Sequence, residues 1–158
     1  MNKRLVNNIV PFLVGVGVLA CGAIQDPSDL EDGTKEVWSV LPGILEINAG
    51  QIDINVPDTV FVGSPVSVVV TTYGSGCFRK AATTVVMGGL DVFIGPFDSV
   101  VTLEGGNQMC PLILRRFQHT ATVQFDEPGF GHFEINGRRE PGDQRFSIFR
   151  PVVVLAGQ

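Results

Sequence analysis

From Glu36 to the C-terminus, apolar side chains recur at every second position, and this period of two constrains the fold more than any other feature of the chain. Successive side chains of a strand point to opposite faces, so alternation marks one buried face and one wet face. Ile52, Ile54 and Val56 alternate with Gln51, Asp53 and Asn55. Val66, Val68 and Val70 alternate with Ser67, Val69 and Thr71, apolar enough for a central strand. Further runs cover 82–87, 90–94, 100–103, 112–117, 121–125, 133–135 and 146–154. Between them stand turn residues: Pro57-Asp58, Gly74-Ser75-Gly76, Gly88-Gly89, Gly95-Pro96, Glu127-Pro128-Gly129 and Asn136-Gly137. Glycine supplies unusual φ and proline removes a ladder donor, so such pairs close strands. Pro151 lies inside the last run and is expected at an edge or a bulge.

No helical period of useful length interrupts this pattern. The expectation is an all-β domain over residues 36–158, a single immunoglobulin-like antiparallel β-sandwich of about seven to nine short strands. A small closed β-barrel of lipocalin type is the alternative, and it calls for longer, more regular strands. The 158 residues suffice for one domain, and 44% apolar content fills a core. Disordered chains combine few apolar residues with many charges, and 17% charged content excludes that class here.

The first 21 residues have a different layout. Lys3 and Arg4 open the chain, an uncharged apolar stretch runs from Ile9 to Ala20, and Val18-Leu19-Ala20-Cys21 closes it. A positive start followed by an apolar stretch too short to span a bilayer is the pattern of a secretory signal. The last four residues resemble the lipobox of bacterial lipoproteins: an aliphatic residue, a tolerant position, a small residue, then cysteine. The resemblance implies a signal peptide at residues 1–20, cleavage after Ala20, and a diacylglyceryl thioether and an acylated amine on Cys21. Several acyl chains on one cysteine would hold firmly, where a single chain holds marginally. Gly22, in place of an Asp that would resemble an inner-membrane retention signal, favours the outer membrane. Cys21 and the acidic, non-periodic stretch to Lys35 then form a flexible tether.

With Cys21 given to lipid, Cys77 and Cys110 remain, and an oxidising envelope compartment favours their disulfide. Two free or metal-binding thiols are the alternative. Residues 57–139 also resemble uncharacterised bacterial lipoproteins through Gly63-Ser64-Pro65-Val66, Tyr73-Gly74-Ser75-Gly76-Cys77, Gly95-Pro96-Phe97-Asp98, Cys110, His119-Thr120 and Pro128-Gly129. Those relatives imply no activity.

Charge narrows the partners. Removal of the signal leaves nine of the eleven basic residues against all sixteen acids, a net of −7. Nucleic acid, which is held by clustered Lys and Arg, is an unsuitable partner. The pairs Arg115-Arg116 and Arg138-Arg139 are expected as solvated strand or turn positions.

Catalysis finds no signature. His119 and His132 are the two histidines, and no Gly-x-Ser-x-Gly, His-Glu-x-x-His or Cys-x-x-Cys motif is present. A hydrolase using either histidine would need a Ser or an acid from another strand. Zinc on Cys77, Cys110, His119 and His132 has suitable ligand types at spacings that match no finger. No cofactor is expected. Among the 11 Phe, Phe125, Phe133 and Phe146 fall on inward positions, whereas Phe93, Phe97 and Phe149 alternate outward. Burial under loops or a second sheet is the expectation for the latter three, and exposure would mark a protein-contact patch. The expected function is a lipid-anchored envelope protein with a non-catalytic binding or structural domain. A small envelope hydrolase and a carrier of an apolar ligand are the alternatives.

Overall fold

The computed structural model describes residues 35–47, 50, 52–104 and 109–157. The signal peptide, Cys21 and all of the tether before Lys35 lie outside the described residues. Of the described residues 72% are in strands and none is in a helix, so the fold is all-β.

Ten strands follow one another: β1 (Glu36–Pro42), β2 (Ile44–Ile47), β3 (Ile54–Asn55), β4 (Thr59–Phe61), β5 (Pro65–Gly74), β6 (Phe78–Gly88), β7 (Asp91–Leu103), β8 (Arg115–Gln124), β9 (Gly129–Glu140) and β10 (Gln144–Leu155). All belong to one sheet whose main path runs β1-β7-β9-β2-β5-β3. β6 adds to β7, β8 to β5, and β10 with β4 to β9. The sheet curls into a half-barrel around a single core.

Alternation is realised where it was clearest. Val66, Val68 and Val70 of β5 point inward, as do His119, Ala121 and Val123 of β8, while Gln118, Thr120, Thr122 and Gln124 face water. Phe125 and Phe133 meet edge to face at 5.9 Å in the middle of the core, beside Val92, Ile94 and Ile135. Aromatic pairs favour this geometry because the positive ring edge meets the negative face.

The connectivity departs from the antiparallel expectation. Six strand pairs are antiparallel, but β7–β9, β2–β9 and β4–β10 are parallel. Turn signals report only hairpins between neighbours in sequence, and these three pairs join strands distant in the chain.

Residues 91–94 and 100–103, expected in separate strands, are parts of β7, which passes straight through Gly95-Pro96. Pro96 is tolerated because its partner strand bulges there. Thr83 opposes Pro96 and Lys80 opposes Asp98, so two residues of β6 face one of β7. The Pro96 carbonyl still accepts a hydrogen bond from the Gly43 N–H at 2.8 Å. Pro151 sits where expected, on an edge: β4 joins β10 only from Val153 onward.

Candidate functional site

Among the described residues, three places bring together polar chemistry or clustered apolar surface. The first is inside the barrel. His119 follows the inward stripe of β8 and is fully buried. Its Nδ1 lies 2.9 Å from the Thr83 hydroxyl of β6. Its Nε2 lies 3.2 Å from both Asp98 Oδ1 of β7 and the Thr72 hydroxyl of β5. An ionised carboxylate can only accept, so a neutral ring carries its proton on Nε2 and receives the Thr83 hydroxyl proton at Nδ1. Gly43 permits this crowding, since a Cβ there would meet Thr72 Cγ2 at 2.3 Å and Asp98 Oδ2 at 3.0 Å.

Hydroxyl, imidazole and carboxylate in this order have the layout of a nucleophile relay. A relay must also meet its substrate. The His119 side chain is 0% exposed and that of Asp98 1%, and only the Thr83 end of the set is partly exposed. The cluster also ties strands together. β6 and β8 lie side by side without ladder pairing, and the Thr83–His119 hydrogen bond joins them. Asp98 Oδ2 has no hydrogen-bond partner among the described residues, so His119 and its contacts supply what satisfaction this carboxylate has.

Sequence reasoning named His119 but missed Asp98, Thr72 and Thr83. The inward register of Ala121 and Val123 already places His119 inside, and a buried imidazole demands polar partners. Nothing in the local spacing says which strands supply them.

The second place is the outer face of the same sheet. Cross-strand register lines up Val86, Phe93, Glu134 and Phe149 in one row, and Asp91, His132 and Pro151 in the next. His132 Nδ1 lies 2.8 Å from Asp91 Oδ1, both side chains being well exposed, and its ring tilts against Phe149 at 5.7 Å. Phe93 and Phe149 are not buried under loops or a second sheet: they are 39% and 56% exposed, Val86 61%, and Phe130 85%. Phe97 is half-buried.

The third place is the end of the domain near the disulfide. Cys77 and Cys110 are bonded, with their Cα atoms 5.3 Å apart. That removes both thiols from any zinc site, and no group of three His, Cys, Asp or Glu side chains that could hold a metal occurs among the described residues. Residues 112–114, expected in a strand, precede β8 and are exposed. They line an open apolar groove of about 320 Å³ with Ile44, Ile47, Tyr73 and Phe78.

The basic pairs divide. Arg115 and Arg116 are exposed, Arg116 pairing with Asp53. Arg138 corrects the expectation of solvation: it is buried, donates from Nε to the Pro42 carbonyl at 2.5 Å and pairs with Asp143. Arg139 reaches Glu46 at 2.7 Å across the β2–β9 pair.

No family model, curated protein or solved structure matches the chain. The functional assignment therefore stands on the sites themselves.

Proposed function

We propose that this chain is a lipid-anchored protein of the bacterial cell envelope, cut after Ala20, acylated on Cys21 and delivered to the outer membrane. Its domain acts by binding rather than catalysis. One contrast carries the choice: the set Thr83–His119–Asp98 has its imidazole and carboxylate shut inside the core with only Thr83 partly exposed, while Phe93, Phe130, Phe149 and Val86 stand on the surface. Clustered exposed aromatics are a feature of protein-contact surfaces. The two halves of the curled sheet, β5–β8 and β6–β7–β9–β10, pack across Phe125 and Phe133, which supports an immunoglobulin-like scaffold for that face.

The test is metabolic labelling with a clickable fatty acid, with a partition assay in detergent. The wild-type chain should take up label and enter the detergent phase, and Cys21→Ser should do neither. Label on Cys21→Ser, or an intact Met1 on the cellular protein, would refute the anchor. Phe149→Asp should abolish the cellular role while leaving the fold intact. His119→Gln, if folded, should keep that role. The opposite pattern would establish the hydrolase.

A further inference from the structure

We infer that the disulfide-bearing end of the domain dips Met109 and the 112–114 segment into the membrane that holds the anchor, a proposal that rests on the lipid-anchor reading above. Met109-Cys110-Pro111-Leu112-Ile113-Leu114 contains no polar side chain. Leu112 is 100% exposed, Met109 92%, Ile113 65% and Leu114 59%. Four large aliphatic side chains offered to water within six residues form a strongly apolar tip, whose natural surroundings are hydrocarbon.

The tip is held rather than loose. Cys110 is bonded to Cys77, and the Gly76 N–H donates to the Pro111 carbonyl at 3.1 Å. A side chain at Gly76 would meet Pro111 ring atoms at 2.8 Å, so the two backbones touch. Presentation therefore costs little ordering when the tip enters a bilayer.

The point where the tether joins the domain selects lipid as the occupant. The Glu104 N–H donates to the Lys35 carbonyl, Glu36 pairs with Leu103, and the Val101 N–H donates to the Cys77 carbonyl. Lys35 thus leaves the domain at the end that carries the disulfide and the apolar tip. Thirteen residues separate Cys21 from Lys35, and a coil of that many residues would span roughly 20 Å. The 13 residues of β7 extend about 40 Å. A linker of that reach would keep the near end at the membrane and leave the far end outside it.

Charge at this end is mixed: exposed Arg115, Arg79 and Lys80 flank the apolar run, Arg116 is paired with Asp53, and the carboxylates of Glu36 and Glu104 are exposed beside Lys35. The Arg79 guanidinium covers the Trp38 ring at 4.0 Å. Cations and an indole bordering an apolar tip match the headgroup layer, where anionic lipids attract Lys and Arg. The exposed carboxylates of Asp126 and Glu127 stand at the other end, in the turn between β8 and β9. The groove beneath residues 112–114 continues the apolar surface inward.

The experiment uses the full acylated chain in vesicles of phosphatidylethanolamine and phosphatidylglycerol, part of it brominated on the acyl chains. One variant combines Trp38→Phe with Leu112→Trp, the other Trp38→Phe with Phe130→Trp. Ile113→Trp replaces Leu112→Trp if that variant fails to form the Cys77–Cys110 bond. Flotation and the mass of the Cys21 peptide report the anchor separately. The expected result is several-fold stronger quenching at 112 than at 130, with a blue-shifted emission at 112 alone. Protein that floats and is acylated but shows no quenching at 112, or equal quenching at both sites, overturns the insertion and leaves the anchor standing. Unmodified Cys21 and failure to float overturn the anchor, and the tether-based orientation with it.

Discussion

Replacing His119 by Leu should be among the most destabilising single changes in this domain. The substitution leaves Asp98 without its imidazole partner at a site 1% exposed. A buried carboxylate left without its hydrogen-bond donor costs roughly 3 kcal/mol or more. The Thr72 and Thr83 hydroxyls also lose the ring, at about 1 kcal/mol each where no substitute is found. A leucine returns part of this through apolar burial, so the net loss should be about 4 kcal/mol. With a urea m-value near 2 kcal/mol per molar, the unfolding midpoint falls by about 2 M. Adding Asp98→Leu removes the stranded carboxylate and should restore about half of that loss or more, because replacing both partners of a buried hydrogen bond by apolar groups can be nearly neutral. The assay is urea unfolding of the Cys21→Ser chain followed by far-ultraviolet circular dichroism. A single variant within about 1 kcal/mol of wild type, or a double variant whose loss equals the sum of the singles, would refute the account of the node.

Three further outcomes can be checked on the same chain. Cys77→Ser with Cys110→Ser opens a bond spanning 33 positions, and chain entropy puts the loss at roughly 3–4 kcal/mol, read as a fall in Tm. Gly131→Ala places a methyl 2.0 Å from the Leu90 carbonyl oxygen, where backbone cannot yield easily, and should cost about 1–3 kcal/mol in urea unfolding. His132→Ala breaks only the exposed ion pair with Asp91 and should change stability by less than about 1 kcal/mol, so a loss as large as that of His119→Leu would contradict the assignment of its role.

How much of this was readable beforehand depended on whether the determining contacts were local. The inward positions of Val66, Val68, Val70, Ala121 and Val123 follow from alternation alone, because strand geometry imposes it residue by residue. The passage of β7 through Gly95-Pro96 did not follow, since the bulge that accommodates it lies on β6. Asp98 read as a polar residue just past a turn, yet it is buried against a histidine 21 positions away. Arg138 read as solvated because the carbonyl that takes its Nε–H belongs to Pro42, 96 positions away. The three parallel pairings escaped for the same reason. The exposed Phe93 and Phe149 were on the correct face, and only the absence of a covering layer among the described residues distinguishes patch from core.

The first strand has a mechanical meaning. All seven residues of β1 pair with β7 in continuous antiparallel register, beginning at Glu36 and Leu103. A pull on Lys35 away from the domain runs along the axis of β1, not across it. The cross-strand bonds are then strained together in shear instead of parting one after another like a zipper. If the proposed anchor moors the domain at that end, a drag on the domain would load β1 in shear.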